Sequence, residues 1–322
     1  MSWIFISPAT AEIYTYKKGE DGELRSPESK DEVLVYSCDE TIYGKVTITV
    51  NKEVEHRGIS VYLIGQIDFG YKKANNRDIL HVSKQLCPPG KLTSDYTEEF
   101  EFADVKKNLE SYQGTNIQIK YFVKVVLSRN YLFNITNEKE VKIVRYKLAV
   151  PESSPLSVEV GIEGSLQLTL FYSKNIYHLE EIVLGKIYFS LVRLRVKAAL
   201  LILLRQEVVG IHPNAHIQTE ELGKFEVMDG IPVKGVSIPI RMFLENYKLT
   251  PTYEYPTEEF TLKYYFNFVL TDHDNRVYFK QQEIKLWRKA PNLHIKESGT
   301  GGPFSRLSKN VLTKREGKES KK

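Results

Sequence analysis

The sequence predicts an all-β protein built from two tandem β-sandwiches. One observation is a duplication, because Gly44–Val50 (GKVTITV) is answered 141 residues later by Gly185–Leu191 (GKIYFSL). Ile117–Leu127 and Phe260–Leu270 repeat in the same order, 143 residues apart. A second observation is composition: 20 Tyr and 15 Phe bring aromatic residues to 11%, which favours strands over helices. Together they predict a duplicated unit of about 140 residues, a usual size for one domain.

Alternating hydropathy predicts the strands within each copy. Apolar side chains occupy every second position of Ile117–Leu127, with mostly polar side chains between them. This period of two is typical of a half-buried antiparallel strand. Phe260–Leu270 has the same pattern, and Thr271–Arg276 supplies turn residues before Val277–Phe279. We therefore predict a hairpin at that point.

Helical patterns are rare in this sequence. Val105–Tyr112 is the best short candidate for an amphipathic helix. Elsewhere, strand patterns follow one another without alternating helices, which favours antiparallel sandwiches over a parallel α/β sheet. Lys17–Asp31 is charged and contains Gly19, Gly22 and Pro27, so it is predicted to be a long mobile loop.

Two prolines and two serines separate the copies. They lie in Val150–Pro155 (VPESSP), a composition typical of a linker. Each half of the chain is long enough to bury a core of its own. The predicted division is residues 1–150 for the first sandwich, 151–156 for the linker, 157–297 for the second sandwich and 298–322 for a basic disordered tail.

Positive charge is concentrated in that tail. Seven basic residues against Glu316 and Glu319 give residues 298–322 a net charge of +5, whereas the whole chain carries +4. The rest of the chain is therefore nearly neutral, which gives little support to nucleic-acid binding. Because the tail is rich in Ser, Gly and Thr, it is predicted to be disordered. Attraction to anionic membrane is the alternative role for it.

The cysteine content and the length of the apolar segments limit the cellular settings that are expected for this protein. Cys38 and Cys87 are too few for a disulfide framework or a cysteine-based zinc site, and a reduced cytosolic setting is the simplest interpretation. Residues 1–6 contain no basic region, so no signal peptide is predicted. The longest apolar run, Ala198–Leu204, has seven residues, whereas a membrane-spanning helix needs about 20.

The sequence contains no catalytic signature. It has no Gly-x-Ser-x-Gly elbow, no phosphate-binding Gly-rich loop and no His-Glu-x-x-His helix. His212 and His216 are four residues apart in a loop-like stretch, which favours a solvated loop over a metal site. Asp272-His273-Asp274 could place a base between two carboxylates, but a hairpin tip offers neither burial nor a pocket. We therefore predict no enzymatic activity, no cofactor and no metal.

Apolar residues in places where loops are usually polar give a sharper signal. Lys224–Pro232 begins as a short strand and breaks at Asp229-Gly230, which places Val227 and Met228 at the end of that strand. The two residues are either part of the core or an exposed apolar anchor for a partner protein.

Two other segments could belong to a binding edge. Val158–Ile162 and Val277–Lys280 are first interpreted as ordinary inner strands. If either were a sheet edge, it could accept an added peptide strand, and a neighbouring aromatic residue could recognise a side chain of that peptide.

Long segments of the chain match a known family. Lys224–Arg241 (KFEVMDGIPVKGVSIPIR), Tyr278–Ala290 (YFKQQEIKLWRKA), Val158–Glu163 and, in the first half, His56–Ile59 carry the match. The chain in these segments closely resembles the vacuolar protein sorting twenty-six family, which is the arrestin-like subunit of retromer. The resemblance covers the chain from about Glu12 to Pro291.

The resemblance implies two tandem arrestin-like β-sandwiches and a non-enzymatic role. In the family, the second sandwich docks onto a long α-helical solenoid subunit, and the assembly coats endosomal tubules that return transmembrane cargo to the Golgi or the plasma membrane. Val227 and Met228 are thereby expected to contact the solenoid. A seam shared with a sorting nexin, where a cargo tail adds a strand, is implied at four residues: Val158, Val160, Ile162 and Phe279.

The implied location is the cytoplasm and the cytosolic face of endosomes, with indirect membrane association. The implied partners are the helical solenoid subunit, a sorting nexin and the cytosolic tails of cargo proteins, with no nucleic acid and no cofactor. The alternative is another arrestin-like trafficking adaptor, although the Pro-Pro-x-Tyr motifs usual in that class do not occur in this sequence. Ile231 and Val236 depart from the family pattern, which more often has smaller or acidic residues at those positions.

Overall fold

The computed structural model describes residues 7–19, 22–27, 29, 32–70, 76–130, 132–210, 215–255 and 260–291. Their regular structure is almost entirely β-strand. The strands of the first half are β1 (Ala9–Lys18), β2 (Leu24–Arg25), β3 (Val35–Ser37), β4 (Ile42–Val50), β5 (Val54–His56), β6 (Gly58–Phe69), β7 (Asn76–Cys87), β8 (Gly90–Leu92), β9 (Tyr96–Phe102), β10 (Tyr112–Gln113), β11 (Ile117–Ser128) and β12 (Ile135–Val144). Those of the second half are β13 (Leu156–Ile162), β14 (Leu166–Tyr172), β15 (Ile176–His178), β16 (Ile182–Val192), β17 (Val196–Val209), β18 (His216–Asp229), β19 (Ser237–Phe243), β20 (Tyr253–Tyr255), β21 (Phe260–Asp272) and β22 (Val277–Trp287), with a 3-10 helix at Leu244–Asn246.

Two main sheets form each half, and β5 and β8 form an additional two-stranded sheet in the first half. In the first half, a four-stranded sheet has the order β2-β1-β4-β9 and a larger sheet has the order β3-β12-β11-β6-β7, with β10 paired to β11. In the second half, the corresponding orders are β13-β14-β16-β19 and β15-β22-β21-β17-β18, with β20 paired to β21. β3 and β15 join their sheets in parallel. The predicted fold class, two tandem arrestin-like β-sandwiches, is confirmed.

The duplication is visible in the close approach of corresponding strands. Gly44 in β4 and Gly185 in β16 occupy equivalent positions. A Cβ atom at Gly44 would lie 2.3 Å from the Phe100 ring, and one at Gly185 would lie 2.4 Å from the carbonyl oxygen of Phe171. Contacts this short would push neighbouring strands apart. The repeated glycine is therefore required for the space it leaves at this position.

The core lies between the two sheets of each sandwich. Burial alternates along β11 and along β21, as the period of two predicts. Tyr121 of β11 and Tyr264 of β21 are equivalent and almost fully buried. The Tyr121 hydroxyl donates to the carbonyl of Leu109 at 2.7 Å, and the Tyr264 hydroxyl lies 3.0 Å from that of Thr250. Each tyrosine thus ties the preceding connection to the core.

The predicted helix at Val105–Tyr112 is wrong. The backbone N–H of Lys107 donates to the carbonyl of Cys38 at 3.2 Å. The Lys107 side chain is 2% exposed, and its Nζ donates to the carbonyls of Glu40 (2.8 Å) and Val105 (2.9 Å). Tertiary hydrogen bonds of this kind satisfy polar groups that a helix would otherwise satisfy, so the segment has no need of helical structure.

The loop predicted at Lys17–Asp31 is partly strand. Lys17 and Lys18 still belong to β1, where they pair with Arg25 and Leu24 of β2. Residues 20, 21, 28, 30 and 31 of this segment lie outside the described residues, as do the predicted tail, residues 298–322, and His212. Residues 151–155, in the predicted linker, contain no regular structure and precede β13.

Buried hydrogen bonds join the two halves. The Glu207 carboxylate of β17 is 2% exposed and accepts hydrogen bonds from the Tyr112 hydroxyl (2.6 Å), the Thr115 N–H (3.1 Å) and the Asn116 N–H (2.9 Å). Gly114 passes so close that a Cβ atom there would lie 1.9 Å from Glu207 Oε1. Burial and the hydrogen bond to the Glu207 carboxylate raise the pKa of Tyr112 well above its usual range. No sequence pattern indicated this contact, which links residues 95 positions apart.

Candidate protein-binding surfaces

β18 is the outermost strand of the larger sheet in the second half, and β17 is its pairing partner. It ends at Asp229, where the sequence predicts a break, but it begins at His216 and is much longer than the short strand predicted from Lys224. Gly230 then takes a positive φ of 96°, which reverses the chain direction. The end of an edge strand is accessible from several directions, so side chains there are well placed to meet a partner.

A β-bulge lies three residues before that turn. Met228 is opposite Ala199 and Glu226 is opposite Leu200, which leaves Val227 as the additional residue. Successive side chains of a regular strand face opposite sides of the sheet. Here Val227 and Met228 are both half-buried, and both pack against the hydrophobic core. These side chains are therefore partly in the core and partly accessible to solvent, and their role as an anchor for a partner protein stays a prediction.

The loop after the bulge exposes three aliphatic side chains. We call Gly230–Val236 the β18–β19 loop. Ile231 is 60% exposed, Val233 is 68% exposed and Val236 is 46% exposed. The Gly235 N–H donates to the carbonyl of Phe189 at 2.7 Å, so the loop is held against β16 while these side chains face solvent. Such a cluster on a protein surface usually marks a contact site.

The sequence analysis did not single out Val233, although Val233, like Ile231 and Val236, is an aliphatic residue in a turn-forming segment. Ile231 and Val236 were noticed only as departures from a family pattern. All three residues are aliphatic and lie in a short segment that also contains two glycines and a proline. Apolar residues within such a turn-forming segment have little core to enter. A search for this combination would have found the whole loop.

β13 is an edge strand of the smaller sheet in the second half, at the other end of that sheet from β19, and it pairs with β14. The interpretation of Val158–Ile162 as an inner strand is therefore wrong. Val158, Val160 and Ile162 are half-buried and pack against the core, whereas Glu159 and Gly161 are exposed. Within the described part of the chain, no strand pairs with the other side of β13. Its outer backbone groups are therefore available to an added strand.

The other candidate strand segment, Val277–Lys280, forms the beginning of β22. β21 pairs with it on one side, whereas β15 reaches only Lys285–Trp287 on the other side. The inner-strand interpretation thus holds for the end of β22, while its beginning is open on one side among the described strands. Phe279 is 67% exposed there. Because β18 and β19 pack together at one side of the sandwich, β13 and the beginning of β22 share the opposite side.

The segment Asp272-His273-Asp274 lies at the turn between β21 and β22. Asp272 is 1% exposed, so the expectation that the tip offers no burial is wrong for this residue. Its carboxylate accepts hydrogen bonds from the Arg276 N–H and Nε (2.8 Å each) and from the Tyr278 hydroxyl (3.2 Å). Burial raises the pKa of Asp272, but the hydrogen bonds from Arg276 outweigh it and leave the pKa below its usual range. This carboxylate is therefore engaged in closing the turn.

Other reactive groups are dispersed. Among the described residues, no group of three or more His, Cys, Asp or Glu side chains is arranged to hold a metal ion. His216 is exposed at the first position of β18. Cys38 and Cys87 are free thiols, and burial raises the pKa of Cys38. No helix in the part of the chain that the structure describes has the length and apolar character needed to cross a membrane.

These features define a class of protein: a double β-sandwich of the arrestin type, with an exposed aliphatic loop and two open strand edges. The family model for vacuolar protein sorting-associated protein 26 matches residues 15–275. The chain therefore belongs to the vacuolar protein sorting-associated protein 26 family. It is accordingly a vacuolar protein sorting component of the retromer type, a class without enzymatic function.

Named relatives are similar in sequence to this protein over most of its length. Vacuolar protein sorting-associated protein 26 of Dictyostelium discoideum is 40% identical over 271 residues, which are 83% of this chain and 78% of the relative. Vacuolar protein sorting-associated protein 26B of Mus musculus is 38% identical over 290 residues, 89% of this chain and 84% of the relative. Vacuolar protein sorting-associated protein 26B-B of Xenopus laevis is 41% identical over 277 residues, 84% of this chain and 80% of the relative.

Proposed function

We propose that this chain is the arrestin-like subunit of a retromer coat that retrieves transmembrane cargo from endosomes to the Golgi and the plasma membrane. In this role it docks onto the helical solenoid subunit through Val227, Met228 and the β18–β19 loop. The observation that carries the proposal is the continuity between the bulge and the loop. Two half-buried side chains at the end of β18 lead directly into three exposed ones, Ile231, Val233 and Val236.

The energetics of this surface support a protein partner. Full burial of an aliphatic side chain contributes roughly 1.5–3 kcal/mol, so the three exposed loop residues alone offer several kcal/mol to an interface. Val227 and Met228 add contacts that are already ordered by the core, which lowers the entropy that binding would otherwise cost. Grooves between packed helices, as in a solenoid, are lined by apolar side chains and accept protruding aliphatic residues of this kind.

Cargo recognition is assigned to the opposite side of the second sandwich. We infer that a cargo tail adds a strand beside β13, next to Val158, Val160 and Ile162, and that a sorting nexin completes the site. An unpaired strand edge supplies the backbone hydrogen bonds for such an addition. The exposed ring of Phe279 then contacts an apolar side chain of the tail. This arrangement separates cargo capture from solenoid docking.

The remaining parts of the proposal concern organisation and location. The domain boundaries are residues 1–150, a linker at 151–156, a second sandwich at 157–297 and a basic tail at 298–322. The protein is placed in the cytoplasm and on the cytosolic face of endosomes, where it is held indirectly by its partners. Neither a cofactor nor nucleic acid takes part.

Affinity purification from the native cell tests the proposal. The full chain carries an affinity tag and is recovered under mild conditions, and the expected result is stoichiometric co-elution of one long α-helical repeat protein. Recovery of a ubiquitin ligase or a receptor tail without the solenoid would instead support another arrestin-like trafficking adaptor. Quantitative staining of the eluate distinguishes the two outcomes, because an obligate coat subunit is present at one copy per copy of the tagged chain.

A further inference from the structure

A cavity of about 300 Å³ lies at the junction of the two halves, away from the β18–β19 loop and β13. The first half contributes Glu110, Arg145 and Lys147 to its wall, and the second half contributes the Thr250–Tyr253 connection and the end of β22. Most of its accessible wall is apolar. Its size is at the lower end of the range of about 300–1,000 Å³ that small-molecule sites occupy.

Basic residues outnumber acidic residues in the described part of this cavity's wall. Among the described residues, Arg145, Lys147, Lys285 and Arg288 line it, together with one acidic residue, Glu110. Arg288 Nη2 donates to Glu110 Oε1 at 3.3 Å, so one positive charge is compensated. Arg145 and Lys147 add further positive charge at this concave site, which favours an anionic group there.

Arg288 is also incompletely satisfied. Its side chain is 24% exposed, and its Nε is buried without a hydrogen-bond partner among the described residues. A buried donor left without an acceptor is unfavourable, and guanidinium groups bind carboxylate, sulfonate or phosphate oxygens well. Burial raises the pKa of Glu110, against the opposing effects of Arg288 and Arg145. Additional negative charge would therefore be best placed next to the basic residues rather than next to Glu110.

We propose that this cavity binds a small organic anion, whose apolar body fills the space between the sandwiches while its anionic group faces Arg288 and Lys147. The backbone around the site supports this role, because the Lys147 N–H donates to the carbonyl of Arg288 at 2.9 Å and fixes these two residues side by side. Because both halves form its wall, an occupant strengthens the contact between them. This site is independent of solenoid docking.

The test uses 8-anilinonaphthalene-1-sulfonate, a fluorescent aromatic sulfonate, and its uncharged analogue N-phenyl-1-naphthylamine. The sequence contains two tryptophans, and Trp287 lines the cavity. In full-length protein carrying Trp3→Phe, energy transfer from Trp287 therefore reports binding close to the cavity. We expect saturable transfer to the sulfonate, with the uncharged analogue binding at least about tenfold more weakly because it lacks the charge-assisted hydrogen bonds.

Three charge variants in that background locate the site. Arg288→Gln is expected to weaken sulfonate binding about tenfold and Lys147→Gln about threefold, in line with the loss of one charged partner each. Lys289→Gln is the matched control, because Lys289 is adjacent in sequence but does not line the cavity. Thermal unfolding followed by circular dichroism checks that each variant is folded. If Arg288→Gln does not fold, the affinity of Lys147→Gln for the sulfonate decides whether the cavity binds anions. Equal affinity in Lys147→Gln and Lys289→Gln, or equally tight binding of the uncharged analogue, would overturn the proposal.

Discussion

The two halves of the molecule carry the same β-bulge at the same place and use it differently. In the first half, Cys87 lies opposite Ile59 and Gln85 lies opposite Ser60, so Leu86 is the additional residue. This matches the bulge at Val227 in β18, and Leu86 and Cys87 are also half-buried against the core. The bulge therefore belongs to the duplicated unit. It is not by itself a sign of a binding site.

The segment after the bulge distinguishes the halves. In the first half the chain continues into β8, which pairs with β5, and Leu92 of β8 is buried. In the second half no strand covers the corresponding turn within the described residues, and Ile231, Val233 and Val236 are exposed. The comparison shows that the shared strand end adjoins an exposed apolar surface only in the half whose following loop is left unpaired.

The outer edge of the smaller sheet shows a second difference. β2 occupies the first position of that sheet in one half and has two residues, whereas β13 occupies it in the other half and has seven. β2 pairs only with Lys17 and Lys18 of β1, whereas the seven residues of β13 form a continuous edge that is long enough to hold an added strand. Both binding surfaces proposed for this protein thus lie in the second half.

The largest expected effect comes from matched substitutions at the two bulges. Met228→Asp should reduce solenoid binding by more than about a hundredfold, because an unpaired carboxylate in an apolar interface costs several kcal/mol. Cys87→Asp introduces the same charge at the equivalent position of the first half and should leave binding unchanged. Isothermal titration calorimetry with the purified solenoid subunit measures both, and circular dichroism confirms folding. Equal binding by Met228→Asp and the wild type would remove the distinction between the halves.

A smaller loss is expected when the loop itself is made polar. Ile231→Ser combined with Val233→Ser removes two exposed aliphatic side chains without touching the core, so the melting temperature should change little. Solenoid binding should weaken by about ten- to a hundredfold, as expected for partial burial of two such side chains. Competition between labelled wild-type and variant protein for the solenoid provides the measurement. If the double variant competes as well as the wild type, the bulge alone forms the interface.

Phe279→Ala examines the other surface of the second half. Removing an exposed ring that contacts an apolar side chain should weaken binding of a cargo tail by about tenfold, since aromatic contacts in interfaces commonly contribute about 1 kcal/mol or more. Solenoid binding should not change. Phe133→Ala is the control in the first half, because Phe133 is 93% exposed near the start of β12. Fluorescence anisotropy of a labelled cargo tail, measured with the complete assembly, would contradict the assignment if the two variants behaved alike.

The smallest effect concerns the pairing of β5 with β8 that closes the first-half turn. His56 of β5 is 4% exposed, and burial lowers its pKa below the ordinary value of about 6.5. Because the folded pKa is depressed, the stability that neutral His56 contributes is present above pH 6.5 and is lost as the pH falls through the lower folded value. Hydrogen exchange of Val54–His56 and Gly90–Leu92 should therefore accelerate a few-fold at acidic pH, after correction for intrinsic rates.

A matched variant decides whether His56 causes that change. His56→Gln lacks the titrating group and should show no such acceleration, and amides of the β18–β19 loop should be unaffected in either protein. Acceleration of the same size in His56→Gln would assign the pH response to another group. A clean result would show that acidification opens the first-half turn, making it more like its counterpart in the second half.

Local sequence patterns predicted where the strands lie, but they did not predict features that depend on contacts with distant residues. The alternation in β11 and β21, the repeated glycines and the turn at Thr271–Arg276 all reflect constraints within a few residues, so the sequence predicted them. The helix predicted at Val105–Tyr112 was wrong because the burial of Lys107 depends on the carbonyl of Glu40, which is distant in the sequence. The length of β18 was underestimated because Glu220 and Glu221 interrupt its apolar pattern at an exposed edge.

The candidate binding surfaces also combine features that the local sequence predicted with features that only the tertiary structure decided. Val227 and Met228 could be placed at a strand end from Asp229-Gly230, because an Asp-Gly pair is itself a turn signal. That β13 is an edge could not be known, since any half-buried strand has the same alternation whether one neighbour or two pair with it. The cavity at Arg288 was equally hidden, because its wall combines residues from both halves of the chain.

The sequence by itself determined that this protein is a duplicated β unit with strands of known phase, because side-chain alternation and turn chemistry act over a few residues. Tertiary structure alone decided which strand ends are covered and which are left open. The same bulge leads into a paired strand in one half and into an exposed aliphatic loop in the other. That outcome depends on long-range pairing between β5 and β8, which residues 57–89 separate in the chain.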